Sequence, residues 1–330
     1  MLLHARVHTA LSRLKWYCLF QRMSTLPPVA RNALQVCHNQ IRWGEVEFLG
    51  LSLYHIPVII IPAATLDDLN LQPYKTLRRP LDHQRQGIFV AEGEKVVRRL
   101  LESSLEVLSL LLTPEWLEVY KPMVEGREGD VRVYVAPKKV VESIVGFHLH
   151  QGLMAVARIP TPKEFAQLFA QRPKPSFLVA VDGLTNAENL GVLVRNCAAF
   201  GVDVLLVGET SSSPYLRRAV RNSMGTVFSL DVVHLSSLVN TIQELRSTLG
   251  FQVLAAHPHA EGKTLSETSL QKELCIVFGS EGEGISPSVL EACDLAVRIP
   301  MREGVDSLNV ASASAVFLFE AQRRRLRGGT

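Results

Sequence analysis

Three short stretches hold most of the polar side chains that could do chemistry. In "VFGSEGEGIS" (277–286), Glu281 and Glu283 stand among Gly279, Gly282 and Gly284. Such glycines allow close backbone approach and positive φ. A loop that cradles a pyrophosphate wants G-x-G-x-x-G leading into its helix. Here the order is G-x-x-G-x-G, and two carboxylates inside it would repel phosphate. They suit a ligand with a positive centre or sugar hydroxyls. "IPMREGVDSLNVASASAVFLFEA" (299–321) passes from an apolar strand through a charged loop into a helix of small residues. Ser307 and Asn309 stand at that helix's start, where capping is an ordinary role. Ala311, Ser312, Ala313, Ser314 and Ala315 let another backbone pack close. "TNAENLGVLVRNCAAFG" (185–201) puts Asn189 ahead of a helix, which it can cap, and Arg195 six residues on. Beside Val192, Leu193 and Val194, an Arg ordinarily extends to solvent.

These stretches need a scaffold, and the surrounding periodicity describes one. From Ile88 onward "GIFVAEG", "VLSLLLTP", "VRVYVA" and "GLMAVARIP" read as strands, with amphipathic helices between them. In "EKVVRRLLES" the residues Val96, Val97, Leu100 and Leu101 form one apolar face. Pro137 heads the helix of "PKKVVESIVG". This makes a small α/β module over about 66–160, followed by a Pro-bearing linker over 161–175. "LDDLNLQPYKTLRRPLDHQRQG" (66–87) reads as a boundary or an exposed basic segment, with Arg78 and Arg79 able to touch phosphate. A second series over 176–330 alternates "FLVAVDGL", "DVLLVG", "VFSLDVVHL", "FQVLAAHP", "LCIVFG" and "LAVRIPM" with helices. Continuous apolar strands between helices predict a mostly parallel sheet covered on both faces. Ligands in such sheets bind beyond the C-terminal strand ends. The polar loops after Gly183, Phe278 and Met301 fall there together. "SPYLRRAVRNSMG" (213–225) reads as a basic helix that carries Arg217, Arg218 and Arg221.

The chain has 330 residues and a formal charge of +3. The six basic residues of 1–44, a segment with no Asp or Glu, account for that whole excess. A nucleic-acid site in the body must then be a local patch. The five cysteines, Cys18, Cys37, Cys197, Cys275 and Cys293, form no C-x-x-C pair and no zinc-type cluster, so buried free thiols in a reducing compartment are expected. No metal constellation is visible. Residues 1–30 are Arg-bearing and acid-free, which suits an organellar transit peptide and equally a start codon chosen too early, with Met23 the true one. The address is cytoplasmic on the second reading and mitochondrial or otherwise organellar on the first. Residues 48–64 are interrupted by Pro57 and Pro62 and read as a strand region, not a membrane span.

Taken together, Asn-x-Gly-x-x-x-Arg with Phe-Gly (189–201), Gly-x-Glu-x-x-Gly-Ile (279–285), Ile-Pro-Met (299–301) and Ser-Leu-Asn-Val (307–310) resemble the SpoU/TrmH family of RNA ribose 2′-O-methyltransferases. All three family motifs stand in order across about 176–326. "FVAEGEKVVRRLL" and "VGFHLHQGLMAVA" resemble, less closely, the family's ribosomal-protein-like substrate-binding domain. Residues 1–65 carry none of these motifs. The resemblance implies an α/β protein whose C-terminal parallel sheet carries a deep trefoil knot, an exception to the rule against threaded chains. It implies a homodimer built on that domain, S-adenosylmethionine as methyl donor, and a structured ribosomal or transfer RNA as substrate, with ribosomal RNA favoured by the two-domain layout.

By position, the resemblance assigns the cofactor to Ala255, Ala256, His257, Gly279, Glu281, Ile299, Pro300, Met301, Ser307, Leu308 and Asn309. It assigns catalysis to Arg195, Asn189, Glu281 and Asn309. Methyl transfer needs an in-line approach of a ribose oxygen, so positioning carries most of the work. A guanidinium is a poor general base. Arg195 is therefore expected to hold an RNA phosphate and stabilise developing oxyanion charge. Asn189 would orient Arg195 or the ribose, Glu281 and Asn309 would fix the pocket and the sugar, and the basic helix over 213–225 would place Arg217, Arg218 and Arg221 on the RNA track. The chain departs from the family at Ala187-Glu188, where Asp-Pro is common, at Ala311, where Ser is usual, and at Asn196-Cys197. These leave open a reduced rate or an altered ribose contact. The alternatives are a catalytically idle RNA-binding relative in ribosome assembly and, more distantly, a dinucleotide-dependent dehydrogenase, which the glycine order disfavours.

Overall fold

Short apolar runs between turn residues become strands, and runs with helical spacing become the helices that cover them. The computed structural model describes residues 59–62, 69–127, 129–146, 151–163, 165, 168, 176–260 and 263–327. All of these belong to one compact unit, Ile56–Thr330. The leader reading of 1–30, residues 147–150 of the "VGFHLHQ" motif and most of the 161–175 connection lie outside the described residues.

The first module comprises β1 (Ile59–Pro62), α1 (Gln72–Lys75), α2 (Pro80–Arg85), β2 (Ile88–Glu92), α3 (Glu94–Glu102), β3 (Val107–Leu112), α4 (Pro114–Glu125), β4 (Arg132–Val135), α5 (Lys138–Val145) and β5 (Leu153–Arg158). Its sheet has the order β1-β4-β3-β5-β2. Strands β1, β4 and β3 run parallel, while β5 is antiparallel to both β3 and β2. As the spacing demands, Val96, Val97, Leu100 and Leu101 of α3 are buried. The module begins before residue 66: β1 pairs with β4, Ile60 opposite Val133. Pro62 can sit there because it closes an edge strand. The polar segment 66–87 is also less exposed than its composition suggests. Leu71, Tyr74 and Leu77 are buried beneath the sheet, and the Tyr74 hydroxyl lies 2.9 Å from Ser109 Oγ.

The second module comprises β6 (Phe177–Val181), α6 (Ala187–Ala199), β7 (Val204–Val207), α7 (Arg217–Asn222), β8 (Asp231–His234), α8 (Leu238–Ser247), β9 (Gln252–Ala256), β10 (Lys263–Thr264), β11 (Leu274–Phe278), α9 (Pro287–Ala292), β12 (Leu295–Arg298) and α10 (Val310–Arg327). The sheet order is β10-β12-β9-β11-β6-β7-β8, and every pairing is parallel. Continuous apolar β6 and β11 are buried along their full length, as a sheet covered on both faces requires. The expected basic helix over 213–225 shortens to α7. Positive φ at Met224 (55°) and Gly225 (77°) ends it, and a 3₁₀ turn, Thr226–Ser229, takes the place of a strand start. Helix α8 and the short β10 were not anticipated, although Ser237 gives α8 an ordinary cap by accepting from Asn240 N at 3.3 Å.

The two modules share one apolar core, which runs from Phe89, Val97 and Leu100 to Leu193, Tyr215 and Val227. The Phe89 ring lies 5.4 Å from that of Tyr215 and 5.5 Å from that of Phe228. Glu92 receives Arg217 at 2.5 Å and Arg221 at 3.5 Å across the same seam. No described helix is long and apolar enough to cross a membrane.

Candidate functional site

Because β9 lies between β11 and β12, the turns that follow these three strands meet at one edge of the second sheet. They enclose a cavity of about 330 Å³ with α10 as its remaining wall. Nine of the positions assigned from sequence line it: Ala256, His257, Gly279, Glu281, Ile299, Met301, Ser307, Leu308 and Asn309. Ala255 and Pro300 do not. Successive strand residues face opposite sides, so Ala255 is buried in the core on the far side while Ala256 reaches the cavity. Further lining residues escaped the sequence reading. Phe317 stands edge-on to Phe278, with ring centroids 5.8 Å apart at 88°. Its signal was present in the helical spacing of Val310, Ala313 and Phe317. His259 is held by its own backbone N–H, which donates to His257 Nδ1 at 3.2 Å.

The glycine-rich turn needs glycine at two of its three places. A Cβ on Gly279 would lie 2.1 Å from the Gly284 carbonyl carbon and 2.3 Å from Ile285 N. Gly284 has φ of 71°, and it pairs with Ser280 through both backbone groups, at 2.9 and 3.2 Å. Gly282 has open space around it and no positive φ, so neither of the expected reasons applies to it.

A chain of amides crosses the cavity mouth. Asn309 Nδ2 donates to Asn189 Oδ1 at 3.1 Å, and Asn189 Nδ2 donates to Glu281 Oε1 at 2.5 Å. Asn309 Oδ1 accepts from Ala311 N at 2.9 Å, the capping role its position suggested. The cap of α6 is a correction. Asn186, not Asn189, accepts from Glu188 N and Asn189 N, at 2.9 and 3.2 Å. Asn189 lies inside the first turn, which frees its amide to bridge the other two motifs. Among the described residues no hydrogen bond joins it to Arg195. Gly191 lets α6 sit against α7, where a Cβ would meet Ala219 O at 2.5 Å. The small-residue face of α10 packs on α6 as expected. There Asn196 Nδ2 donates to Ala311 O at 2.8 Å and to Ser314 Oγ at 2.9 Å. That bond gives the Asn196 departure a structural role.

The basic residues separate into different places. Arg195 is exposed, and it lines an interdomain cleft instead of the cavity. Six residues along a helix turn it about 120° away from Asn189, so a direct contact with a group in its own chain's cavity is not what the fold provides. Arg217 was expected on an RNA track. It is instead an interdomain tie, its side chain only 19 % exposed and paired with Glu92. Arg218 is exposed and 3.7 Å from Glu188, and Arg221 is exposed beside Glu92. Arg78 and Arg79 are exposed on the first module. Among the described residues no group of His, Cys, Asp or Glu could hold a metal ion. Cys197, Cys275 and Cys293 are buried free thiols, and burial pushes Cys293 up to about 12.

Fold and cavity define an α/β protein with a small-molecule site at the C-terminal edge of a parallel sheet, and comparison with known proteins identifies the class. The SpoU rRNA methylase family model matches residues 176–319. A protein of Mycobacterium tuberculosis named an uncharacterized tRNA/rRNA methyltransferase is 34% identical over 265 residues, covering 78% of this chain and 90% of that one. The 23S rRNA (guanosine-2′-O-)-methyltransferase RlmB of Pasteurella multocida is 33% identical over 182 residues, 54% of this chain and 73% of its own length. A solved RNA 2′-O ribose methyltransferase superposes with a TM-score of 0.63 at 29% identity, over 82% of this chain and 100% of that one. This chain belongs to the SpoU RNA methylase family.

Proposed function

We propose that this protein transfers a methyl group from S-adenosylmethionine to a ribose 2′-hydroxyl of ribosomal RNA. The carrying observation is the cavity whose mouth is spanned by Asn309, Asn189 and Glu281, because it joins all three motifs at one place. Its residues fit the donor. Phe278, Phe317, Val297, Ile299 and Leu308 offer apolar walls for a flat heteroaromatic ring, and Glu281 and Glu283 offer negative charge for a cationic centre. The volume falls in the range of about 300–1,000 Å³ that small-molecule sites occupy. When bound, S-adenosylmethionine supplies an electrophilic methyl on positively charged sulfur.

The protein's own part is to position and orient. Asn189 takes up Glu281 Oε1, which leaves Oε2 to accept a hydrogen bond from a ribose hydroxyl. Asn309 fixes the Asn189 amide, so the carboxylate is set before the substrate arrives. Arg195, turned away from this cavity, holds an RNA phosphate. The same reading threads the C-terminus as a deep trefoil knot. The placement of β12 between β9 and β10 supports this, as does the packing of α10 back on α6. It also makes the working form a homodimer through this module. Val316, Phe319 and Leu326 stay 42%, 54% and 74% exposed at helical spacing on α10, an apolar stripe suited to a second copy.

The test is to incubate the protein with methyl-labelled S-adenosylmethionine and ribosomal RNA, digest the RNA, and identify the labelled nucleoside. The expected product is a 2′-O-methylated nucleoside, lost in Arg195→Ala with the melting curve unchanged. Base methylation would refute the reading. RNA binding without any transfer would point to the idle, RNA-binding alternative.

A further inference from the structure

One buried carboxylate lies outside the cavity and takes no part in the chemistry described so far. In "FLVAVDGL" the apolar run of β6 ends at Val181, and Asp182 follows it at only 7% exposed. Burying a charge is costly unless hydrogen bonds compensate it. Here they come from the two ends of the glycine-rich turn. Asp182 Oδ2 accepts from Ser286 N at 2.8 Å, and Asp182 N donates to Phe278 O at 2.9 Å. Phe278 and Ser286 flank residues 279–285, so one residue clasps both ends of the turn that presents Gly279 and Glu281.

The turn is closed a second time within itself. Besides the paired backbone bonds of Ser280 and Gly284, Ser280 Oγ accepts from Glu283 N at 3.1 Å. These bonds fix the shape of the turn, and the Asp182 pair fixes where that shape sits on the sheet. The chain after Asp182 is held in its turn: Gly183 N donates to Thr210 Oγ1 and Leu184 N to Ser211 Oγ, each at 3.1 Å. Two other aspartates of this module make the same kind of clasp. Asp203 Oδ2 accepts from Phe177 N at 2.7 Å, and Asp294 Oδ2 from Val253 N at 2.8 Å. Both stand just before their strands, β7 and β12, at the sheet edge opposite the cavity. Asp203 is half-buried and Asp294 exposed. Asp182 alone of the three is buried, and it alone stands beside a turn that carries functional groups.

We propose that Asp182 is a positioning residue for methyl transfer, whose carboxylate sets the place of the turn 279–285 and with it the Glu281 carboxylate over the cavity. The proposal rests on the function proposed above. Asp182 does not line the cavity, so it acts through the turn and touches neither cofactor nor RNA. Its loss therefore acts on geometry, and a displacement of about 1 Å at a reacting centre costs up to about 100-fold in rate. Cofactor binding depends on it less, because Ile299, Leu308 and Phe317 wall the cavity from other elements. A split between rate and affinity is the signature of this role.

The experiment measures S-adenosylmethionine affinity by calorimetry and single-turnover methyl transfer to ribosomal RNA, with the full chain. In Asp182→Ala the transfer rate is expected to fall about 10- to 100-fold and the affinity only about threefold. Asp182→Asn keeps an oxygen to accept from Ser286 N and should stay within about threefold of the wild type in both. Asp203→Ala removes a like clasp at the far edge, so it should lower the melting temperature and leave rate and affinity unchanged. Should Asp182→Ala not fold, Asp182→Ser replaces it, with a polar atom for the buried site but too short a reach to Ser286 N. A wild-type rate in Asp182→Ala or Asp182→Ser, or an equal loss in Asp182→Asn or Asp203→Ala, would overturn the positioning role and leave the catalytic reading standing. A wild type that binds S-adenosylmethionine without transferring methyl would overturn that reading, and unchanged affinity in Asp182→Ala would then overturn the clasp as well. A wild type that binds no S-adenosylmethionine would overturn both.

Discussion

Replacing Asn189 by Ala separates positioning from chemistry at the cavity mouth. The substitution removes two hydrogen bonds, one to the Glu281 carboxylate at 2.5 Å and one from Asn309 at 3.1 Å. A bond to a charged group contributes about 1.5–3 kcal/mol and a neutral one about 0.5–1.5 kcal/mol. Glu281 is exposed and Asn189 half-buried, so water replaces part of both. A net loss of about 1–2 kcal/mol in positioning corresponds to a roughly 5- to 30-fold lower kcat/KM. The assay is initial-rate methyl transfer to ribosomal RNA for the wild type, Asn189→Ala, Glu281→Ala and the double variant. If Asn189 acts by holding Glu281, the double variant is little worse than Glu281→Ala alone, with a coupling of about 1 kcal/mol. Strict additivity of the two single effects, or wild-type kcat/KM in Asn189→Ala, would refute the reasoning.

Two further expectations concern stability. Glu92→Ala deprives the half-buried Arg217 of a carboxylate at 2.5 Å and should lower unfolding stability by about 1–3 kcal/mol in urea titration, against less than about 1 kcal/mol for the exposed Arg221→Ala. Equal effects would show that the seam is not held there. In α10, hydrogen bonds and charge from Arg323 and then Arg324 hold the Glu320 carboxyl down at about 2. Its pKa is lowered on folding, so its stabilisation is complete above the ordinary carboxylate range and disappears as pH falls towards about 2. The wild type should therefore exceed Glu320→Gln in stability at neutral pH, and the two should converge in acid. A constant difference across that window would refute the assignment.

Much of the site could be read from the chain because its signals are local or ordered. Glycine order disfavoured a phosphate loop, and the close backbone approach expected of these glycines is present at Gly279, where a Cβ has no room. Alternating apolar runs announced the parallel sheet of the second module, and small residues on α10 announced its close packing on α6. Such rules act over a few residues, so they also erred where two neighbours were equally eligible. Asn186 and Asn189 both suit a cap, and only the backbone path into α6 chose the first.

What lay beyond the sequence was every pairing between residues distant along the chain. Arg217 meets Glu92 from 125 positions away, which turns a presumed RNA contact into a structural tie. The edge pairing of β1 and the antiparallel placement of β5 likewise depend on partners that no local pattern names. The direction of Arg195 was decided in the same way. Composition marks a cation on an apolar helix, but the helix rotation between Asn189 and Arg195 points one to the cavity and the other to the interdomain cleft. Residue types and their order determined which chemistry the chain could hold. The long-range packing of two modules about a shared core decided which polar groups remained available to perform it.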